Sequence, residues 1–140
     1  MRFLLDTNIL SEPLRPRPNP NVVRMLQQYS GEIGTATVVF HELLFGCYRL
    51  PVESKKRPII EAYLYAEVKH KIPLLPYDTA AAEWFAVERA RLTTIGKTPA
   101  YADGQIGAIA KVNNLILVTN NVADYSDFQN LTIENWLVMN

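Results

Sequence analysis

Four acidic residues have sequence neighbours that are typical of a ligand-binding site: Asp6, Glu42, Asp103 and Asp124. Two of them follow apolar runs, residues 3–5 and 115–118, that are too short for helices and predict buried strands. In open α/β sheets, ligands bind beyond the carboxyl ends of the strands. We therefore expect Asp6 and Asp124 at the ligand-binding edge of a sheet.

The other two acids lie within predicted helices. Glu42 has the apolar neighbours 38–40 and 43–44, and Asp103 lies in the segment 101–110, whose small residues allow a close backbone approach. Clustered carboxylates raise one another's pKa unless a cation compensates them. Oxygen ligands suit Mg²⁺ or Mn²⁺, which lowers the pKa of bound water and neutralises phosphate charge. The acids together predict hydrolysis of a phosphodiester.

Each acid taken alone also has a structural explanation. Asp6 and Asp103 could cap helices, Glu42 could lie on a solvated helix face, and Asp124 could be an ordinary loop acid. The metal-site prediction therefore depends on all four side chains converging in the fold.

The elements that must position these acids follow from the apolar pattern. Strand-like and helical segments alternate, with strands expected at 3–5, 33–37, 72–77, 115–118 and 131–134. This alternation predicts an α/β fold, a three-layer sandwich with a mainly parallel central sheet flanked by helices. The 140 residues suffice for a single domain, residues 1–140.

Three local expectations accompany this fold. Thr37 should cap the helix that contains Glu42, one long helix should run from Glu53 to Lys71, and Glu88 should be a surface charge.

Composition excludes several classes of protein. Fourteen basic and fourteen acidic residues cancel, so bulk charge does not indicate a nucleic-acid binder. The single Cys47 and two His residues offer no disulfide, no zinc-ligand spacing and no support for a side-chain nucleophile. No signal peptide and no 18-residue apolar span is found. These features predict a cytoplasmic protein without membrane association.

Four blocks contain the acids in chain order: LDTNILSE at 5–12, HEL at 41–43 with Gly46, ADGQIGAIA at 102–110 and VTNNVADY at 118–125. Together they resemble the PIN-domain ribonucleases, in particular the VapC/FitB-type toxins of prokaryotic toxin–antitoxin pairs. The resemblance implies a metal-dependent endoribonuclease of single-stranded or loop RNA, with Mg²⁺ or Mn²⁺ as cofactor. It also implies inhibition by a cognate antitoxin, a homodimer, and possible hetero-oligomers with the antitoxin.

The resemblance also implies a role for each acid. Asp6 and Asp103 would be the most direct metal ligands, and Glu42 would complete the cluster or orient water. Asp124 would help place a second metal or the attacking water, with Asp127 as a nearby competitor. Three neighbours would hold the carboxylates by hydrogen bonds: Thr7, Asn8 and Thr119.

The role of five basic residues is open, and so are two alternative functions. Five basic side chains either contact RNA phosphates or solubilise the surface: Arg15, Arg17, Lys55, Lys56 and Arg57.

A haloacid-dehalogenase-type phosphatase would use Asp6 as nucleophile, but Asn8 replaces the second acid that it needs. The other alternative is a non-catalytic α/β module that binds a partner through an acidic pocket. A receiver-type version would need a Lys where the chain has residues 119–121.

Overall fold

Short strands alternate with helices along the computed structural model, which describes residues 1–138. The predicted end of the domain at residue 140 therefore lies outside the described residues. The elements are β1 (Phe3–Leu5), α1 (Thr7–Leu10), a 3₁₀ turn (Glu12–Leu14), α2 (Pro20–Gln28), β2 (Ile33–Ala36), α3 (Thr37–Tyr48), α4 (Lys56–Tyr63), a π-helical turn (Leu64–Lys69), β3 (Leu74–Leu75), α5 (Thr79–Thr94), α6 (Tyr101–Val112), β4 (Ile116–Val118), α7 (Val122–Tyr125) and β5 (Ile133–Glu134). No helix within residues 1–138 is both long and apolar enough to cross a membrane.

The five strands form one sheet in the order β3-β2-β1-β4-β5, and every pairing is parallel. All carboxyl ends therefore lie along the same edge. β1 pairs with β2 on one side and with β4 on the other. The strand order reverses between β1 and β4, where α/β sheets open a crevice for ligands. Asp6 and Thr119, which directly follow these two strands, are at that crevice.

The central strand is buried on both faces. Phe3, Leu4 and Leu5 are at most 1% exposed, which agrees with their unbroken apolar pattern. Each such side chain contributes about 2 kcal/mol of burial free energy. At the amino end of β1, the Phe3 ring packs edge-on against Trp136, with centroids 5.1 Å apart. The predicted α/β class and parallel sheet flanked by helices are thus confirmed.

Two helix predictions need correction. Ala36, rather than Thr37, is the N-cap of α3 and makes no side-chain capping bond, because β2 leads straight into the helix at Thr37. The helix expected over residues 53–71 begins at Lys56, after a turn in which the Ser54 N–H bonds the Pro51 carbonyl. Its last part, Leu64–Lys69, is a π-helical turn.

The surface prediction for Glu88 is also wrong. Glu88 is 4% exposed, and its carboxylate accepts hydrogen bonds from Arg91 at 2.8 and 3.0 Å. It also accepts one from the Gln129 N–H at 2.7 Å. Arg91 further donates to the Asp127 carbonyl oxygen at 2.8 Å. This Glu88–Arg91 pair therefore anchors the segment after α7 to α5.

Helices α5 and α6 approach closely beside the ligand edge. A Cβ added to Gly104 would lie 1.9 Å from the Phe85 ring, so only glycine fits there. This contact fixes how α6 lies against α5. It also fixes where the preceding residue, Asp103, projects from α6.

Candidate metal centre

Asp6 is a buried carboxylate at the end of β1, and both of its oxygens are hydrogen-bonded. Oδ1 accepts from the Thr7 N–H at 2.8 Å, which makes Asp6 the N-cap of α1. Oδ2 accepts from Thr119 Oγ1 at 2.8 Å and from Asn8 Nδ2 at 3.3 Å. Because the cap uses a single acceptor site on Oδ1, capping and metal binding by Asp6 are compatible.

Asn8 and Thr119 also join the ends of β1 and β4. The Asn8 side-chain oxygen accepts from the Asn120 N–H at 2.7 Å, and Thr119 Oγ1 accepts from the Asn121 N–H at 3.0 Å. Asn8 Nδ2 lies 3.4 Å from Thr119 Oγ1. The two side chains are thereby fixed by backbone groups, which restricts the orientation of Asp6.

Glu42 lies on α3 and turns toward the same edge. Its Oε2 accepts from Thr7 Oγ1 at 3.1 Å. Thr7 therefore contacts two of the acids, Asp6 through its N–H and Glu42 through its hydroxyl. The neighbouring His41 is exposed and stacks on Phe45, with ring centroids 6.4 Å apart. It contributes to a different face of α3.

Tyr125 links Asp6 with Asp103. Its hydroxyl lies 3.3 Å from Asp6 Oδ2 and 3.4 Å from Asp103 Oδ1. The side chain is 1% exposed. Tyr125 is not among the residues predicted from the sequence, although its position directly after Asp124 and its amphipathic ring are a signal for it.

The acids act on one another electrostatically. Burial raises the pKa of Asp103 to about 6, together with the negative charges of Asp124, Asp6 and Glu42. Burial and the charges of Asp6 and Asp103 also raise the pKa of Tyr125, so its hydroxyl keeps its proton. The charges of the other three predicted acids therefore all act on the Asp103 carboxylate.

Asp124 and Asp127 differ in their neighbours. Both line a cleft of about 340 Å³ together with Asp103. Asp127 lies 3.5 Å from Lys97 Nζ, and its carbonyl oxygen is held by Arg91. Asp124, exposed on α7, is the one whose charge raises the pKa of Asp103. This difference favours Asp124 as the fourth acid.

The residues fit a hydrated divalent cation better than a fully protein-ligated one. Within residues 1–138, no three His, Cys, Asp or Glu side chains are grouped closely enough to hold a metal ion as they lie. The salt bridges in that span likewise omit all four acids. Mg²⁺ commonly binds through one or two carboxylates, with water and substrate phosphate completing its shell. Asp6 and Asp103 offer such a pair in a region with excess negative charge.

A family profile described as PIN domain matches residues 3–128. The chain belongs to the PIN-domain family. Toxin FitB of Neisseria gonorrhoeae is 35% identical to this PIN domain over 129 residues, which cover 88% of the chain and 90% of FitB. The tRNA(fMet)-specific endonuclease VapC of Shigella flexneri is 28% identical over 136 residues, covering 97% and 98% of the two chains.

Solved structures share the fold over nearly the full length of this PIN domain. A chain in the crystal structure of FitAcB from Neisseria gonorrhoeae superposes with a TM-score of 0.84 and 31% identity, covering 98% of this chain and 99% of that one. FitAB bound to an IR36 DNA fragment contains a chain with a TM-score of 0.87 and 28% identity, covering 99% and 97%.

Proposed function

We propose that this PIN domain is a metal-dependent endoribonuclease toxin that hydrolyses RNA phosphodiester bonds and is inhibited by a cognate antitoxin. The observation that carries the proposal is the set of carboxylates at the crevice between β1 and β4, which lack a basic partner within residues 1–138. The similarity to an endonuclease VapC and to toxin FitB supports it. The extent of those matches supports one domain over residues 1–140.

We propose Mg²⁺ or Mn²⁺ as the cofactor, with Asp6 and Asp103 as its most direct ligands. When bound, the ion would lower the pKa of a water and neutralise phosphate charge. Glu42 would complete the cluster or orient water, and Asp124 would help place a second metal or the attacking water. The fixed partners of the acids would keep the carboxylates oriented through the reaction: Thr7, Asn8 and Thr119.

A groove of about 610 Å³ has Thr7 and Glu42 in its lining and so exposes one of the four acids to a ligand. Arg15 and Lys56 also line it. Phosphates would be repelled by the acids alone, so cations on the flank of the groove would guide an RNA backbone toward the site. This favours phosphate contact over simple solubilisation for Lys56, whereas Arg15 is paired with Glu12 at 3.5 Å.

Partner binding is part of the same proposal. FitAB and VapBC are complexes, and several of them have been solved with DNA. We propose that this chain likewise forms a homodimer and a hetero-oligomer with its antitoxin. The groove also contains apolar side chains, including Leu43 and Ile59, that an antitoxin segment could cover.

The test is cleavage of single-stranded RNA by the purified chain, first in EDTA and then with Mg²⁺ or Mn²⁺. We expect cleavage only with metal, reduced at least about a hundredfold in Asp103→Asn. Asp78→Asn is the matched control, because Asp78 caps α5 away from the acids and Asn caps equally well. Metal-independent cleavage, or full activity of a folded Asp103→Asn variant, would refute the proposal. Tight partner binding without any cleavage would favour the acidic-pocket binding module.

A further inference from the structure

The Tyr125 hydroxyl is the group that contacts both Asp6 and Asp103. Tyr125 ends α7, and its ring packs beside Phe128 with centroids 6.3 Å apart. The buried ring points its hydroxyl between the two carboxylates, at 3.3 Å from Asp6 Oδ2 and 3.4 Å from Asp103 Oδ1. One hydroxyl proton can be donated to only one carboxylate at a time. The contact therefore links the two acids without neutralising either.

The two acids depend on this link to different degrees. Asp6 has three other hydrogen-bond partners, Thr7, Asn8 and Thr119. For Asp103, the Tyr125 hydroxyl is the single side-chain or backbone partner of its carboxylate in the described part of the chain. Removing the hydroxyl would therefore leave Asp6 in place and release Asp103.

A released Asp103 would have both a reason and the room to turn away. The charges of Asp124 and Asp6 repel it. Its half-buried side chain borders the open cleft that Lys97 also lines. Rotation into that cleft would separate the carboxylate from Asp6. A metal that needs both would then bind less tightly.

We infer that Tyr125 is a positioning residue that holds the Asp103 carboxylate beside Asp6 for cation binding. This inference rests on the proposed metal-dependent function. Tyr125 acts through Asp103, and it neither binds the metal nor contacts the RNA. Its hydroxyl orients the Asp103 carboxylate, whereas its ring packs in the core beside Phe128.

The experiment compares Mn²⁺ binding by wild-type protein and Tyr125→Phe, with free Mn²⁺ measured by electron paramagnetic resonance. Loss of a residue that orients a ligand weakens metal binding by about 10- to 100-fold, and we expect about tenfold here. The kcat for RNA cleavage should fall at subsaturating metal, while KM for RNA stays unchanged. Tyr63→Phe is the matched control, since its hydroxyl bonds the Leu10 carbonyl at 2.6 Å, away from the acids. It should bind Mn²⁺ like wild type.

A second comparison tests whether Tyr125 acts through Asp103. In an Asp103→Ala background, adding Tyr125→Phe should weaken Mn²⁺ binding no further. If Tyr125→Phe does not fold, para-aminophenylalanine at position 125 supplies another test, because its ring carries a hydrogen-bond donor and should keep the wild-type Kd.

The outcomes separate the two proposals. Wild-type Mn²⁺ binding with an unchanged or tighter Kd in folded Tyr125→Phe would overturn the positioning role alone. Additional weakening in the Asp103→Ala background would also overturn it. Absence of Mn²⁺ and Mg²⁺ binding by the wild-type protein would overturn the metal-dependent function, and the positioning role with it.

Discussion

Glu88 and Asp103 are both acids on helices, but their surroundings move their pKa values in opposite directions. Hydrogen bonds from Arg91 lower the pKa of Glu88 despite its burial. Burial and the charges of neighbouring acids raise the pKa of Asp103 to about 6. The fold supplies a basic partner for Glu88 and leaves Asp103 among like charges. Glu88 therefore stabilises the chain, whereas the carboxylates around Asp103 stay available to a cation.

This contrast distinguishes structural from functional acids better than burial does. Asp6 and Glu88 are each 4% exposed. Asp6 is held by neutral donors on Thr7, Asn8 and Thr119, so its negative charge is oriented but not cancelled. Acids whose pKa is raised by burial and neighbouring like charges, as that of Asp103 is, concentrate at functional sites.

The largest effect should come from neutralising the best-fixed acid. Asp6→Asn keeps an N-cap for α1 but removes the charge. We expect RNA cleavage to fall about 10³-fold, which corresponds to about 4 kcal/mol of transition-state stabilisation. Measured kcat/KM and a circular-dichroism melt report activity and folding separately. If the folded variant cleaved RNA at a rate within tenfold of wild type, Asp6 would not be one of the acids that cleavage requires.

Breaking the Glu88–Arg91 pair should affect stability instead of chemistry. Glu88→Ala is expected to lower the free energy of unfolding by about 2 kcal/mol, because the partly exposed Arg91 guanidinium and the Gln129 N–H lose their shared acceptor. Urea denaturation measures the change, and the folded fraction should still cleave RNA in a metal-dependent way.

The exposed pair of Glu67 and Lys71 is the control for this prediction. Glu67→Ala should change the free energy of unfolding by less than about 0.5 kcal/mol, since solvent screens that pair. Equal losses in the two variants would contradict the stabilising role of Glu88.

Asp124→Asn and Asp127→Asn change two acids that line the same cleft. We expect the first to reduce RNA cleavage by about a hundredfold, as removal of an acid or base that handles the attacking water does. Asp127 lies beside Lys97, so its variant should retain cleavage within about threefold of wild type by the same reasoning. Single-turnover rates on one RNA provide the measurement. If Asp127→Asn lost more cleavage activity than Asp124→Asn, Asp127 would be the fourth acid of the site.

The smallest effect is a pH dependence of stability in EDTA. The pKa of Asp103 is about 6 when folded and 3.8 ordinarily, so the folded protein holds the extra proton between these values. The stability contributed by this group therefore falls as pH rises through that window. At about pH 7.5, Asp103→Asn should be more stable than wild type by about 1 kcal/mol, after discounting for its partial exposure.

Urea denaturation over a pH series measures this difference. It should disappear below the ordinary carboxyl pKa, where Asp103 is protonated in both the folded and the unfolded wild type. If Asp103→Asn remained more stable than wild type by the same amount in acid, packing and not charge would explain the difference in stability.

The sequence predicts the strands well because β1 is apolar without interruption and is buried on both faces. That placement puts Asp6 at the ligand edge from periodicity alone. Periodicity does not predict the contact of Tyr125 with Asp6 or the bond of Glu88 to Gln129, because these partners lie far apart in the chain. The Tyr125 contact with Asp6 spans 119 positions, and the Glu88 contact with Gln129 spans 41. No local pattern specifies these pairings.

The pairing of β1 with β4 also bears on how the protein is made. Asp6 is synthesised early, but its neighbour Thr119 and the link to Asp103 through Tyr125 come from the last quarter of the chain. A chain still on the ribosome has no complete group of acids until Tyr125 has emerged and β4 has joined β1. The proposed nuclease would consequently be inactive throughout most of its own translation, and truncated products ending before β4 would be harmless to RNA.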